Sequence, residues 1–178
     1  MRVKTVASST GEYTADARGE TSITVTKQGS GTPVVSVASF AENPAGKFPT
    51  KAMGKWVDVL FSSADGVEEA EISVFYTADE IAGLKEGSLR LYWWDIEKEK
   101  WKACSKSGVD KISDFVWAKV DLKSRPSVTD LNGTYFAVGL AKGGFSWWVI
   151  PLIIVIVVIL LIAFRLFWVL VVKSERGV

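Results

Sequence analysis

Residues 89–101 read Leu-Arg-Leu-Tyr-Trp-Trp-Asp-Ile-Glu-Lys-Glu-Lys-Trp, and the reading of this stretch decides the fold. Leu89, Leu91 and Trp93 are offset from Arg90 and Tyr92. Side chains on a strand alternate between its two faces, so a period of two marks a strand with one apolar face. The polar run 95–99 (DIEKE) then interrupts the pattern before Trp101. Two aromatic strands joined by a hairpin are predicted.

Similar segments recur on both sides, at 22–26, 34–40, 55–61, 70–76, 88–94, 100–105, 115–121 and 134–140. Ile72, Val74 and Tyr76 share one face, with Glu71 and Ser73 on the other. Trp56, Asp58 and Leu60 oppose Val57, Val59 and Phe61, which predicts a strand covered on both sides. Ala64-Asp65-Gly66 and Leu131-Asn132-Gly133 supply turn residues that tolerate positive φ. One short helix is predicted, opened by the capping box Thr77-Ala78-Asp79-Glu80 and closed at Gly83. Short strands at this spacing indicate an antiparallel β-sandwich. The joint-like run 28–33 (QGSGTP) divides an N-terminal strand and linker segment, 1–33, from a sandwich domain, 34–144.

From 147 to 172 the chain reads WWVIPLIIVIVVILLIAFRLFWVLVV. Crossing about 30 Å of hydrocarbon takes roughly 20 helical residues. Val and Ile favour strands in water, but an unpaired strand in lipid leaves its backbone unsatisfied, so a transmembrane helix over 145–172 is predicted. Pro151 falls in its first turn, where a missing N–H costs little. Trp147 and Trp148 at one end and Trp168 at the other suit the two headgroup belts. Arg165, Lys173 and Arg176 sit at or beyond the C-terminal end, which places the tail 173–178 in the cytoplasm and the large domain outside. Arg165 is read as snorkelling to the inner interface, the alternative being an ion pair with a partner helix. Residues 1–13 (MRVKTVASSTGEY) carry no apolar signal core, so an exported domain here is expected to derive from a longer precursor or to lack its signal, the alternative being a tail-anchored protein with its domain in the cytosol.

The net charge of +1 points to no nucleic-acid partner. The chain has no histidine, which removes the usual general base and the commonest transition-metal ligand. Cys104 is the one cysteine, so internal disulfides and cysteine-based metal sites are excluded; it is read as an inert small hydrophobe. Serine nucleophiles lack a partner base, and no phosphate-cradling loop occurs. No enzyme, cofactor or metal is expected. The acidic residues near Asp65, Glu68, Glu69 and Glu71 lack EF-hand spacing and are read as a solvated patch, with Ca²⁺ the weaker alternative. Tyr92, Trp93, Trp94 and Trp101 suit a cross-strand core cluster; an exposed stacking platform is the alternative, with Trp94 and Trp101 its candidate partner surface. Asn132-Gly133-Thr134 is a candidate glycosylation site.

Residues 54–140 resemble the PGF-pre-PGF type domain of archaeal cell-surface, S-layer-associated proteins. The resemblance lies in Tyr76-Thr77 before a short acidic segment, Gly83-Leu84, the strand 88–94, Trp101 and the closing strand 134–138. It implies a structural or binding role and carries no catalytic residues. Where a Pro-Gly-Phe sorting signal would stand, this chain has Gly143-Gly144-Phe145, which implies that the helix stays as an integral anchor. The expected protein is a non-enzymatic, single-pass surface β-sandwich acting as a structural, adhesive or docking module. Its expected partners are the bilayer, other envelope proteins and copies of itself. An accessory subunit of a membrane-bound enzyme complex and a virion or vesicle spike are the other readings.

Overall fold

Alternating apolar side chains along successive strands assemble two antiparallel sheets in the computed structural model, which describes residues 2–6, 11–17, 20–28, 31–142, 154–156, 158–162 and 164–165. The strands are β1 (Arg2–Val6), β2 (Gly11–Asp16), β3 (Thr21–Lys27), β4 (Val34–Phe40), β5 (Ala52–Phe61), β6 (Val67–Phe75), β7 (Leu89–Asp95), β8 (Lys100–Ala103), β9 (Ser107–Asp110), β10 (Phe115–Asp121) and β11 (Asn132–Leu140). One sheet has the order β1-β4-β5-β11-β7-β8 and the other β2-β3-β6-β10-β9. Both the mainly β class and the antiparallel pairing agree with the sequence reading.

The core lies between the sheets. Val57, Val59 and Phe61 of β5, Leu89, Leu91 and Trp93 of β7, and Phe136 and Val138 of β11 meet Ile23, Val25, Ile72, Val74, Val116 and Val120 of the second sheet. The outer face of the second sheet is polar: Thr24 pairs with Glu71, and Glu71 with Lys119. At one side, residues 104–106 step from the edge of the first sheet to that of the second. Cys104 N–H donates to Leu91 O (2.9 Å), and Ser107 Oγ accepts from Leu91 N (2.8 Å). Burial pushes the Cys104 thiol pKa well up, which keeps it protonated.

Two expectations are corrected, and one strand was not anticipated. The division at residue 33 is not followed, because β1 pairs with β4 and β3 with β6, so the first 27 residues belong to both sheets. The helix at 77–83 is a set of turns. Its capping box does form, with Thr77 N donating to Glu80 Oε2 (2.8 Å) and Glu80 N to Thr77 Oγ1 (3.4 Å). One Ile81 N–H to Thr77 O bond (3.3 Å) follows, and then Gly83 at φ 74° turns the chain away. A single turn does not repay helix nucleation. Strand β9, with only Val109 as an apolar side chain, had no alternation to reveal it.

The first sheet is also buried on its outer face. Residues 41–51, between β4 and β5, lie across it and place Phe48 over Trp56, Tyr92 and Trp101, with ring centroids 5.4, 5.1 and 5.3 Å away. The predicted two-sided cover of β5 is therefore found at Trp56, while Leu60 remains exposed. Gly139 makes room for this: a Cβ there would come 2.4 Å from Phe48 Cε1.

The second unit spans Lys142–Val178. Its described residues, 154–156, 158–162 and 164–165, are helical, and Arg165 is among them and exposed. Among the described residues no helix is long and apolar enough to cross a membrane. Most of the expected helix 145–172 lies outside them, as do Trp147, Trp148, Trp168, Lys173 and Arg176.

Phe48→Ala is expected to cost about 2–4 kcal/mol of stability in urea unfolding followed by tryptophan fluorescence. Gly139→Ala is expected to cost about 1–3 kcal/mol by displacing the same ring. Because both remove one contact, the double variant should fall short of the sum; full additivity would show that Gly139 does not act through Phe48.

Candidate functional site

The β7–β8 hairpin also borders a hollow of the sandwich. Asp95 pairs with Lys100 and Trp94 with Trp101, which leaves 96–99 as a four-residue tip with Glu99 at φ 46°. Beside the tip runs the connection 122–131, and next to it β11 begins. A groove of about 610 Å³ lies among these three segments, lined by Trp93, Trp94, Asp95, Ile96, Glu97, Lys98, Lys102, Arg125, Thr129, Asp130 and residues 132–135.

Its walls are held by local hydrogen bonds. Asp121 Oδ1 accepts from Lys123 N (2.8 Å) and Ser124 N (2.7 Å) as the chain leaves β10. Arg125 N donates to Ser105 Oγ (2.8 Å), and Ser105 N returns a bond to Arg125 O (2.8 Å). Ser127 N and Oγ both donate to Asp130 Oδ2, at 2.8 and 3.0 Å. Thr134 Oγ1 donates to Asp130 O, and Phe61 N to Leu131 O (2.6 Å). This wall is therefore pinned to both sheets.

Three acidic side chains (Asp95, Glu97, Asp130) and three basic ones (Lys98, Lys102, Arg125) line the groove, so it has no single-sign field to draw in a polyion. Asp95 is buried and ion-paired with Lys102. The Lys102 hydrogen bond, with Lys98 N at 3.1 Å, holds the Asp95 carboxyl below the usual carboxylate range. Lys102 Nζ also stands 5.5 Å from the Trp93 ring centroid, a cation–π distance. Trp93 Nε1 is buried and makes no hydrogen bond among the described residues. The groove offers aromatic surface and paired charges.

The aromatic residues of the hairpin divide between the faces of the sheet. Trp93 joins the inner core, while Tyr92 and Trp101 join the Phe48 cluster. Trp101 is thus not partner surface: it is 5% exposed, and its Nε1 donates to Gly46 O (2.8 Å). Trp94 is half-buried beside the groove, packed on Gly46, where a Cβ would come 2.8 Å from its Cη2. Asn132 is exposed at the groove. Glu69 and Glu71 face Lys119 at 3.2 and 3.4 Å, so the acidic patch is partly neutralised. Among the described residues no three acidic or sulfur ligands gather to hold a metal. Lys102, Arg125, Thr129 and Asp130 were not singled out by sequence. The one available signal was Asp95 and Lys102 flanking a predicted hairpin.

No family model, curated protein or solved structure matches the chain.

The Asp121 carboxyl, hydrogen-bonded by Lys106 and two backbone N–H groups, is pushed down to about 2 from its ordinary 3.8. A carboxylate with a depressed pKa stabilises the fold above its ordinary value, and that contribution is lost as pH falls through the folded value. Thermal unfolding is therefore expected to lose stability from about pH 4 toward pH 2. Asp121→Asn should lower stability at pH 7 and flatten that decline; an unchanged slope would remove Asp121 as its source.

Proposed function

We propose that this chain is a non-enzymatic, membrane-anchored surface module of the PGF-pre-PGF type, in which the sandwich is a rigid docking body and 145–172 is the anchor. In this reading 173–178 is the cytoplasmic tail and the sandwich faces outward. The observation that carries it is the apolar run from Trp147 to Phe164, close to the length a membrane helix needs, with Lys173 and Arg176 behind it.

Chemistry and charge agree with this assignment. Lys173 and Arg176 follow the apolar run, and the positive-inside rule puts them in the cytoplasm. The helical residues 154–156, 158–162 and 164–165 include Ile154, Val155, Ile156, Leu160, Leu161 and Phe164, all exposed and apolar. Lipid is the solvent that such a surface suits. A pinned groove wall and a core sealed on both faces of one sheet make a body that keeps its shape under load, as a tether needs.

The full chain is expected to float with liposomes and to resist carbonate extraction. Protease added to intact cells should remove the sandwich and leave a small membrane-bound stub. Release by carbonate would overturn the anchor, and complete protection of the sandwich would overturn its outward orientation.

A further inference from the structure

We infer that Asn132 is N-glycosylated and that the first sugar lies in the groove beside the β7–β8 tip. The inference rests on the outward orientation proposed above, since it requires the sandwich to meet a glycosylating enzyme outside the cytoplasm.

Asn-x-Thr tripeptides are common by chance, so the argument turns on what the fold asks of each residue here. Gly133 has φ 96° at the register shift between β11 and β5, a conformation that favours glycine. Thr134 is buried and its hydroxyl is bonded to Asp130 O. Both residues therefore have structural duties. Asn132 has none: its side chain is exposed and makes no hydrogen bond among the described residues. An unconstrained bulge position would accept many polar residues equally well.

The surroundings suit a sugar joined at that point. Asn132 itself lines the groove, whose volume of about 610 Å³ lies in the range of small-molecule sites. Trp94 and Tyr135 offer aromatic surface for the C–H face of a pyranose. Glu97, Lys98 and Asp130 present hydrogen-bonding groups to its hydroxyls. The donor class is an oligosaccharyl diphosphate on a polyprenyl lipid. Asn132 Nδ2 forms a bond to the anomeric carbon as that carbon's bond to the diphosphate oxygen breaks. The amide loses one proton and the lipid diphosphate leaves, so no oxidant or reductant is needed.

The test uses the full chain recovered from membranes of cells that N-glycosylate exported proteins. Trypsin does not cut before Pro126, so the peptide 124–142 carries the site. Mass spectrometry is expected to find it heavier by a glycan, and Asn132→Gln to abolish the gain without loss of folding. Lys111→Asn creates a second acceptor tripeptide on the exposed 111–114 turn and serves as the control. A glycan on the control site with peptide 124–142 unmodified would overturn the proposal while leaving the outward orientation standing. No glycan at either site would overturn both. Cleavage after Lys98 by a lysine-specific protease should be several-fold slower in the glycosylated protein than in Asn132→Gln, and equal rates would overturn the seating in the groove.

Discussion

Burial of the first sheet on both faces, where β5, β11 and β7 pass beneath Phe48, is the constraint on which the rest of the domain depends. A sandwich needs only its facing surfaces covered, and here the second sheet keeps a polar outer ladder through Thr24, Glu71 and Lys119. The first sheet instead holds Trp56, Tyr92, Trp101 and Ala137 as a second buried cluster. Water must be excluded from that face as well, and residues 41–51 do so. Small residues permit it: Gly139 admits the Phe48 ring, and Gly46 admits Trp94 while its carbonyl accepts the Trp101 indole N–H.

That cluster determines what the β7–β8 hairpin presents. Because Tyr92 and Trp101 are held on the outer face, Trp93 and Lys102 must point to the inner one, near the side where 104–106 cross between sheets. Lys102 is then set between the Asp95 carboxylate and the Trp93 ring. A lysine at a sandwich margin keeps its ammonium partly wet while its stem covers apolar surface. The groove is thus the edge of the core, left open where the hairpin tip and the 122–131 connection do not close over it.

Strand β11 joins the groove to the middle of the core. One strand contributes Asn132 at the groove and Leu140 at the exit, with Phe136 and Val138 in the core between them. It is paired on both sides, with β5 and with β7. Such pairing places several backbone hydrogen bonds side by side along the strand.

The strands β4 and β10 were legible to the residue, because 34–40 and 115–121 carry strong β-forming alternation that needs no distant partner to be recognised. Gly66 and Glu99 also fall in turns where composition placed them. Strand β9 and the 77–83 turns were not legible, since one depends on pairing with β10 and the other on a helix too short to pay for its own nucleation. Tryptophan clustering was visible, but its division between two faces was not, because adjacent Trp93 and Trp94 have the same composition and opposite surroundings. The amino-acid sequence by itself determined a mainly β domain with an apolar, tryptophan-flanked C-terminal run, properties set by local period and transfer from water. Only the tertiary structure decided that the first 27 residues complete the sandwich, that Trp101 is interior and that Asn132 opens onto a groove. Those outcomes depend on contacts between segments far apart in the chain, Gly46 with Trp101 and β3 with β6, and no local pattern encodes which segment will arrive to cover another.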